Sequence, residues 1–595
     1  MYKKLINNMK FFFAIKVVFE VFSFLNKRRK IQLYFVIISL FFSSLMEVFS
    51  IGMIIPFIAV LIEPSKLIGI YETINILDLM ENITIERQRL FLTIIFILTF
   101  ILSNIFRLTN TYIFQRISRA VGADLNLRVY QNFLDKEYGL AIKENSSLRI
   151  SLMTEKMQNI IGLIYNFLTF FSSGIILFSV MVFCFILSPT ISILSYIGLI
   201  IIFSIISKVL NNLILRISEN IMKKMSTKLR VIQETFGALR QIILDKSKKT
   251  YSTIFEIHEQ SLRKSEALSN FVVFLPKHLV EVIALIVLSL YAYYLTQFTN
   301  IESFQLISFL GFIGFASSRL LPIATGMHSS VMSLMSTLFI VDELLKFLDE
   351  KPSSKNYNNT KKVDFRNNIK FENVSFKYDE SSKFELKNLT FEIKKGENIG
   401  IVGETGFGKS TIVDILIGLL KANSGKILID NKILDNSNCM SWQSKISHVP
   451  QDIFLMDRSI AENIASIIGT EKINYEILKN SIKFAELEET VNNLHDKENT
   501  LIGERGIYLS GGQKQRVGLA RAFYNQKEIL ILDEATSSLD IETEKKIMEN
   551  IKKNYKDLTV IQISHRLQTL KSTNKIFEFK KNSILKVINY KDIIL

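Results

Sequence analysis

Cysteine is nearly absent from this sequence. The chain of 595 residues has two, of which Cys184 lies in an apolar stretch and Cys439 in the more charged second half. Two cysteines in such different surroundings indicate neither a disulfide framework nor a cysteine metal site. The chemistry of the chain is therefore sought among its other residues.

A cleavage site for a signal peptidase is also lacking near the start. Residues 1–30 are rich in phenylalanine but carry eight Lys or Arg, and Lys16 and Glu20 interrupt the apolar run. Since no small-residue cleavage motif follows, we expect no cleaved signal peptide. We expect instead an amphipathic helix lying on the cytoplasmic membrane surface.

Long hydrophobic runs, by contrast, fill the first half of the chain. Hydrophobic residues make up 48% of the sequence, and ~20 consecutive apolar residues suffice to cross a bilayer. We predict an α-helical six-span membrane domain over residues 1–348, a polar linker over 349–363 and a soluble domain over 364–595. The predicted spans are 31–62, 90–115, 160–187, 190–210, 272–296 and 303–327.

The net charge of +16 has a membrane explanation. In a soluble protein it would suggest a nucleic-acid partner. Here the connections after the second and fourth spans are long and net basic, whereas the other three are short or weakly acidic. Because basic loops stay in the cytoplasm, we predict a multi-pass protein of the bacterial cytoplasmic (inner) membrane, with its soluble domain in the cytoplasm and no nucleic-acid partner.

The two basic connections are too long and too periodic to be loops. They predict extensions of the membrane helices that reach tens of ångströms into the cytoplasm, at about 1.5 Å per residue. Each would turn back around a short transverse helix, near residues 135–147 and 234–245. Ordinary solvated helices are the alternative.

A phosphate-binding loop lies in the second half. Residues 403–410 have the pattern G-x-x-x-x-G-K-S, preceded by an apolar strand (399–402) and followed by a periodic helix (411–420). This is the context that the motif requires, because loop N–H groups and the helix N-terminus together bind phosphate. We expect Lys409 on the β- and γ-phosphates of ATP and Ser410 on Mg²⁺. The predicted nucleotide contacts of the loop are Gly403, Glu404, Thr405, Gly406, Phe407, Gly408, Lys409, Ser410 and Thr411.

Two adjacent carboxylates complete the predicted ATP chemistry. Residues 529–534 form an apolar run that ends in Asp533 and Glu534, which predicts a buried strand with both acids at its end. We expect Asp533 to hold Mg²⁺ through water and Glu534 to polarise the water that attacks the γ-phosphate. Few residues suffice, because phosphoryl transfer depends mainly on positioning and charge neutralisation.

Residues 509–513 read Leu-Ser-Gly-Gly-Gln and lie between the loop and the carboxylates. Here the chain resembles ATP-binding-cassette (ABC) ATPases, whose signature this is. The resemblance implies an α/β P-loop cassette fused to the helical domain of a type IV ABC exporter. It also implies that Ser510, Gly511, Gly512 and Gln513 complete the ATP site of the opposite subunit, so that two cassettes close head to tail around two ATP molecules.

Further positions match the family one by one. The resemblance implies that Tyr378 stacks on adenine and that Gln451 senses Mg²⁺ as a ligand. It implies that His565 is the switch histidine on the γ-phosphate, that Asp540 links the two sites and that residues 504–506 contact the transverse helices. Since every motif is intact, a homodimer with two working sites is the simplest assembly, and a heterodimer with a similar half-transporter remains open.

Ionisable residues also occur inside the predicted spans. Such residues are costly within a membrane unless they are paired or face water. They are Glu47, Arg107, Lys277, Glu281 and Arg319. One hypothesis places the three basic residues, with Glu47, in a cavity for an anionic head group, since arginine suits phosphate. The alternative is structural pairing of an acidic residue with an arginine.

The membrane half resembles lipid-linked oligosaccharide flippases of the PglK type. The similarity lies in Glu47, Pro56, residues 106–107, Pro276, Lys277, Glu281 and residues 319–322. It implies that basic cavity residues engage a pyrophosphate, although lysine at 277 weakens a bidentate grip. The alternatives are export of a peptide, lipid or drug, and a non-transporting ABC regulator. Because the catalytic residues are intact, we favour an ATP-driven transporter over a regulator. Its expected partners are membrane lipids and an amphipathic substrate.

Overall fold

The computed structural model describes most of the chain, and at some helix positions it describes only the backbone. The described residues are 10–54, 57–58, 61, 85–143, 146–187, 189–298, 303–349, 361–378, 384–404, 406–466, 472–555, 557–564, 566, 570–571, 573–579 and 585–588. Thr405 and His565, both predicted at the ATP site, lie outside this set.

The chain divides into two compact units, each described by itself below. The first comprises Met1–Leu134 and Asn145–Lys351, and the second comprises Asp135–Glu144 and Pro352–Leu595. The expected domain boundaries assigned the short segment Asp135–Glu144 to the membrane domain. The structure groups it with the cassette because it contacts cassette residues, as in the ion pair between Glu137 and Lys421.

Long helices form the first unit. In chain order the helices up to residue 349 are α1 (Lys10–Ser23), α2 (Lys27–Gly52), α3 (Ile85–Leu134), α4 (Tyr138–Lys143, in the second unit), α5 (Ser146–Ser151), α6 (Met157–Leu187), α7 (Pro189–Gly237), α8 (Leu239–Leu244), α9 (Lys248–Phe298) and α10 (Ser303–Asp349). A π-helical turn at Leu152–Lys156 joins α5 to α6. The short helices α4 and α8 lie where transverse helices were predicted.

Three helical stretches in the described residues are long and apolar enough to cross a membrane: Lys27–Gly52, Arg89–Leu134 and Arg149–Ile186. They contain much of the first three predicted spans. Helices α7, α9 and α10 run through the other three predicted spans, where many side chains are outside the description. The count of six spans therefore stays a prediction.

Helix α1 is amphipathic, as expected, but its apolar face packs against other helices. Val17, Val18 and Val21 are buried in a core shared with α3, α6 and α10, and the rings of Phe22 and Phe167 lie 5.4 Å apart. The valine face therefore finds its apolar partners inside the unit, whereas the sequence had suggested a membrane surface.

The second unit contains two β-sheets. Its strands are β1 (Asn368–Lys377), β2 (Glu385–Lys394), β3 (Asn398–Gly403), β4 (Ser424–Ile429), β5 (Lys432–Ile433), β6 (Ile446–Val449), β7 (Ile529–Asp533), β8 (Thr559–Ile563), β9 (Lys575–Phe579) and β10 (Leu585–Ile588). One sheet is antiparallel with the order β2-β1-β4-β5. The other has the order β10-β9-β3-β8-β7-β6 and is parallel except for β10.

Helices complete the second unit and set the position of the site. They are α11 (Lys409–Ile417), α12 (Cys439–Gln443), α13 (Ile460–Ala465), α14 (Tyr475–Phe484), α15 (Glu488–Asn492), α16 (Gly511–Tyr524) and α17 (Ile541–Asn554). The strand predicted at 399–402 is confirmed as β3, and the strand predicted at 529–534 is confirmed as β7, which ends at Asp533. Since parallel strands end at one edge of a sheet, β3 and β7 bring the phosphate loop and the carboxylates together.

Candidate functional site

The phosphate loop turns sharply between β3 and α11. Gly406 and Gly408 both have φ near +89°, a left-handed conformation that favours glycine. A Cβ atom at Gly408 would also lie 2.4 Å from the ring of Phe384. The loop therefore requires glycine at this position for two reasons, and Phe384 is a packing partner that the motif alone did not reveal.

Lys409 begins α11 and points back into the loop. Its Nζ donates hydrogen bonds to the carbonyl oxygens of Gly403 (2.8 Å) and Glu404 (3.2 Å). Burial lowers the pKa of Lys409, while the nearby carboxylates of Glu534 and Asp533 act in the opposite direction. The ammonium group is thus held at the centre of the loop, where it can be shared with phosphate oxygens.

The acid at the end of β7 meets the first turn of α11. Asp533 is buried, and its side chain is hydrogen-bonded to that of Ser410. Burial raises the pKa of Asp533, Glu534 raises it further, and Ser410 and Lys409 lower it. Hydroxyl and carboxylate oxygens are ligands that Mg²⁺ prefers, so this pair fits the predicted metal site.

Glu534 follows directly in an unusual backbone conformation. Its φ is +51°, and its N–H donates to the carbonyl oxygen of Ile563 at 3.1 Å. Gln451, which follows β6, donates from Nε2 to Oε2 of Glu534 at 2.9 Å. Strained backbone of this kind is held by its surroundings and is common at functional sites.

These groups line one cavity of about 490 Å³. Its rim includes Tyr378, whose hydroxyl lies 3.1 Å from Oγ1 of Thr411 and whose ring packs edge-on against Phe376 at 4.9 Å. An aromatic ring beside a phosphate loop suits a purine base. The lining residues are Tyr378, Phe384, Gly406, Gly408, Lys409, Ser410, Thr411, Gln451 and Glu534.

The signature segment starts α16 and lies outside that lining. Ser510 is the N-cap: its Oγ accepts from the N–H of Gln513 (3.3 Å), whose Oε1 accepts from the N–H of Ser510 (2.8 Å). A Cβ at Gly511 would have ordinary contacts at 3.6 Å, whereas one at Gly512 would approach the carbonyl oxygen of Ser538 to 3.1 Å. The described cavity-lining residues do not include Ser510–Gln513, so these groups do not complete the cavity of their own chain.

A glutamine that sequence reasoning missed ties the signature helix to the carboxylates. Gln515 is buried, donates to Oγ of Ser537 (3.0 Å) and accepts from the N–H of Ser538 (2.8 Å). Its Nε2 also lies 3.5 Å from the carbonyl oxygen of Glu534. The run of residues 514–516, Lys-Gln-Arg, directly after the signature is the sequence feature that could have pointed to Gln515.

Arg521 attaches the other side of α16 to the segment after Gln451. It donates to the carbonyl oxygens of Asn463 (2.9 Å) and Phe454 (3.3 Å). Burial lowers the pKa of Arg521. This guanidinium group therefore ties the signature helix to the segment that follows Gln451.

Arg566 holds the segment between Glu534 and α17. It donates to the carbonyl oxygens of Leu539 (2.9 Å) and Ser537 (2.7 Å). Asp540 caps α17 by accepting from the N–H of Thr543 (2.7 Å), and these bonds lower its pKa. The predicted role of Asp540 between two sites stays a prediction, as does that of residues 504–506, where Arg505 has φ +53°.

Helix α4 contacts the cassette beside the nucleotide cavity. Nζ of Lys143 donates to the carbonyl oxygen of Tyr378 at 2.7 Å, and Glu137 pairs with Lys421. Burial, Asp414 and Tyr378 raise the pKa of Tyr138. Burial, with Asp533, raises the pKa of Asp414 to about 6. A transverse helix thus touches the residue predicted to stack on adenine.

The charged residues of the first unit are arranged differently from the basic set that was predicted. Glu47 is buried, accepts a hydrogen bond from Ser103 and lies 3.7 Å from Arg319, whose guanidinium lies 4.2 Å from the ring centre of Phe100. Arg107 is exposed, and the side chain of Lys277 is outside the description. For Glu47 and Arg319 the structure favours the alternative of structural pairing.

Comparison with known proteins gives the class of the second unit. Residues 386–537 match the family described as ABC transporter. The second unit therefore carries an ABC transporter ATP-binding domain, which confirms the prediction of an ABC-type ATPase, and the first unit places a helical membrane domain before it.

The fold of the chain is that of an Atm1-family ABC exporter. The structure of a bacterial Atm1-family ABC exporter with ATP bound superposes with a TM-score of 0.77 and 19% identity, over 96% of this chain and 97% of that one. At this identity the likeness shows the fold alone. It confirms the predicted fold class of a helical exporter domain with an α/β P-loop cassette.

Curated relatives include exporters. A putative multidrug export ATP-binding/permease protein, YgaD, of Bacillus subtilis is 34% identical over 267 residues, which are 45% of this chain and 46% of the relative. The alpha-hemolysin translocation ATP-binding protein HlyB of Escherichia coli is 39% identical over 230 residues, which are 38% of this chain and 32% of the relative. The matches thus span less than half of each relative.

Proposed function

We propose that this protein is an ATP-hydrolysing ABC exporter of the bacterial cytoplasmic membrane, with its cassette in the cytoplasm. The observation that carries the proposal is the convergence of Lys409, Ser410, Gln451 and Glu534 with Tyr378 on one cavity of about 490 Å³. Few other functions use a phosphate loop, two carboxylates and an aromatic rim in this arrangement.

Each residue has a part in the proposed reaction. Tyr378 stacks on adenine, the loop amides and Lys409 hold the phosphates, and Glu534 orients the attacking water and accepts its proton. Ser410, Gln451 and Asp533 would hold Mg²⁺, which would neutralise negative charge on the phosphates. Because Gln451 already bonds Glu534 at 2.9 Å, it can report phosphate occupancy to the segment that Arg521 attaches to α16. His565 is assigned the γ-phosphate contact on the family resemblance alone.

The proposed working form is a homodimer. Ser510–Gln513 lie at the start of α16 yet do not line the cavity of their own chain, which fits a second copy supplying them. Helix α8 supports the same assembly, because Leu239, Ile243 and Leu244 are 49%, 49% and 65% exposed on a helix of six residues. A heterodimer with a similar half-transporter would satisfy both observations equally.

Alternating access is the proposed transport cycle. ATP closes the two cassettes, the transverse helices transmit that closure to the membrane helices, and hydrolysis with product release resets them. The contact of Lys143 with the backbone of Tyr378 supports transmission through α4, which begins four residues after the last residue of α3. A non-transporting regulator fits less well, because a regulator would not need the intact set around Glu534.

For the substrate we propose an amphipathic molecule, with a lipid-linked oligosaccharide as the first hypothesis. Its support is the resemblance of the membrane half to PglK-type flippases and the exposed Arg107. The pairing of Glu47 with Arg319 weakens it, because Arg319 is then not available to a pyrophosphate. Export of a peptide, toxin, lipid or drug is the second candidate, favoured by the names of the relatives.

ATPase activity in proteoliposomes tests these proposals together. We expect basal hydrolysis that an undecaprenyl-pyrophosphate glycan stimulates, and a loss of stimulation in Arg107→Ala with basal activity kept. Arg119→Ala, an exposed change on the same helix, is the matched control. Basal hydrolysis without stimulation would reject the glycan and direct the search to peptides and other lipids. Absence of hydrolysis would reject the ATPase itself.

A further inference from the structure

A small basic cavity lies between the beginning of α2 and the second half of α3. It has a volume of about 340 Å³ and is lined by Arg28, Arg29 and Arg116, together with Phe35, Tyr112 and apolar residues. None of the motifs described above involves this cavity. Three arginines beside two aromatic rings are an unusual lining for an apolar helix pair. We therefore expect the cavity to bind an anionic ligand.

Two of the three arginines have no acidic partner among the residues that the structure describes. Arg29 is paired with Asp124, with Nε 2.9 Å from Oδ2, and it also donates to Oε1 of Gln32 at 2.9 Å. Arg28 and Arg116 are exposed and have no hydrogen-bond or ion-pair partner among the residues that the structure describes. The cavity therefore has a net charge of about +2, presented by one arginine from each helix.

The position of the cavity along the helices corresponds to the edge of a bilayer. Helices α2 and α3 run antiparallel, since Arg29 pairs with Asp124 and Ser39 bonds Asn110. Beyond the cavity α2 exposes an apolar surface, on which Ile38, Phe41 and Phe42 are 54%, 59% and 50% exposed. In the other direction α3 continues to Leu134, where the chain enters the second unit.

Together these features give the side of the membrane. If the cassette is cytoplasmic, as proposed above, the arginine end of the helix pair lies at the cytoplasmic surface. There the bilayer presents anionic head groups, and basic pockets between membrane helices bind them. Arginine forks suit phosphate oxygens, and Phe35 and Tyr112, as aromatic residues at the interface, suit the glycerol and upper acyl region.

We propose that this cavity binds the phosphate head group of an anionic phospholipid of the cytoplasmic leaflet. Arg28 and Arg116 hold the phosphate, Arg29 is fixed beside it by Asp124, and an acyl chain lies along Phe35 and Tyr112. The proposal rests on the proposed function only for the orientation in the membrane. It assigns this lipid a structural site outside the transport pathway.

Tryptophan quenching by brominated lipids tests the proposal. The chain has one tryptophan, Trp442, which is buried in the cassette core, so full-length Phe35→Trp gains a reporter at the cavity and the parent protein gives the background. In nanodiscs we expect brominated phosphatidylglycerol to quench the new tryptophan at about one-tenth of the mole fraction that brominated phosphatidylcholine requires.

Matched charge variants in the Phe35→Trp background locate the effect. Arg28→Gln with Arg116→Gln should abolish the preference for phosphatidylglycerol, and Arg28→Lys with Arg116→Lys should keep most of it. Lys27→Gln with Arg119→Gln removes the same charge from the same helices outside the cavity lining and should leave the preference intact. The proposal would be overturned if the Arg28→Gln and Arg116→Gln variant kept its preference for phosphatidylglycerol. It would also be overturned if the Lys27→Gln and Arg119→Gln control lost that preference to the same extent.

Two further outcomes are decisive. Equal quenching by both lipids would show that the cavity does not select charge, and no quenching by either would show that another part of the assembly, such as a second copy, covers it. Both would overturn the proposal. Basal ATPase activity is measured on the same nanodiscs. Lipid preference without hydrolysis would reject the proposed function while supporting the lipid site, and hydrolysis without preference would do the reverse.

Discussion

The ATP site of the second unit and the Glu47–Arg319 cluster of the first unit both bury charged side chains, but their arrangements differ. In the ATP site, Asp533 and Glu534 are adjacent and like-charged; Glu534 lines a cavity with Lys409 and Ser410, and Asp533 is hydrogen-bonded to Ser410. In the first unit, Glu47 is enclosed by Arg319 and Ser103, with Phe100 stacked on the guanidinium.

This difference separates a site built for a ligand from a structural pair. Adjacent carboxylates repel each other unless a cation or a proton intervenes, so the ATP site stores an unfavourable charge that Mg²⁺ and nucleotide can relieve. In the membrane cluster, by contrast, Glu47 and Arg319 carry opposite charges 3.7 Å apart, so each charge has a counterpart within the protein.

Glu534→Gln should reduce ATP turnover by about 100- to 10,000-fold, the range for general acid–base catalysis, while ATP binding is retained. The substitution keeps the acceptor oxygen for Gln451 but removes the group that takes a proton from water. Turnover and binding are measured on the same purified protein, with the exposed Glu488→Gln as control. Normal turnover would contradict the assignment of Glu534.

Glu47→Gln should destabilise the first unit by roughly 3 kcal/mol, because it leaves the guanidinium of Arg319 buried without its counter-charge. Helix unfolding followed by far-ultraviolet circular dichroism in detergent measures the loss. Glu47→Gln combined with Arg319→Gln should recover much of it, and Glu281→Gln, at a more exposed acid, should have little effect. An unchanged midpoint together with selective loss of substrate-stimulated ATPase would instead make Glu47 a transport residue.

Asp414→Asn should stabilise the cassette by about 1–2 kcal/mol at pH 7.5, a figure reduced for partial exposure. The pKa of Asp414 is raised to about 6 in the folded protein. Ionisation of Asp414 therefore destabilises the folded cassette. The free energy of unfolding of the parent protein falls as the pH rises from about 4 through 6. The advantage of Asn should accordingly be smaller at pH 5.

Thermal unfolding followed by the fluorescence of Trp442, which reports the cassette core, measures that difference. Asp557→Asn is a suitable control, since Asp557 lies in a turn outside the core. An advantage of the same size at pH 5 and pH 7.5 would show that the gain does not come from the ionisation of Asp414.

Lys143→Gln should raise KM for ATP by about two- to fivefold with kcat nearly unchanged. The variant weakens the bond from α4 to the carbonyl oxygen of Tyr378, which is worth about 0.5–1 kcal/mol at an exposed position, and so affects binding more than chemistry. Lys426→Gln is the control on the cassette surface. A fall in kcat with KM unchanged would mean that α4 acts on hydrolysis rather than on nucleotide binding.

The cassette was predictable because its motifs are local. Glycines at fixed spacing and a strand ending in two acids determine their own geometry, so β3, α11 and β7 appear where the sequence placed them. The sequence did not indicate the side-chain contacts that join one motif to another. Gln515, Arg521 and Phe384 act through partners that are distant in the chain, and no spacing rule connects them.

The membrane unit was less predictable for the same reason. Positions 47 and 319 are far apart in the sequence, and only packing of α2, α3 and α10 brings Glu47, Ser103 and Arg319 together. An apolar helix tolerates many rotations about its axis, so the sequence alone could not decide whether a charge faces a cavity or a neighbour. The valine face of α1 was ambiguous in the same way, because a membrane and a helix bundle are equally apolar partners.

Complementation between two inactive chains tests the central claim most directly. Lys409→Ala removes the phosphate-loop amine, and Gly511→Arg blocks the signature at a position where the fold has room for a side chain. The two variants are co-expressed with different affinity tags, purified as the mixed dimer and assayed for ATP hydrolysis. If the signature of one chain completes the ATP site of the other, the mixed dimer contains one intact site and should hydrolyse ATP well above either variant alone. Activity no higher than that of the two single-variant proteins would contradict a site shared between two copies of this exporter.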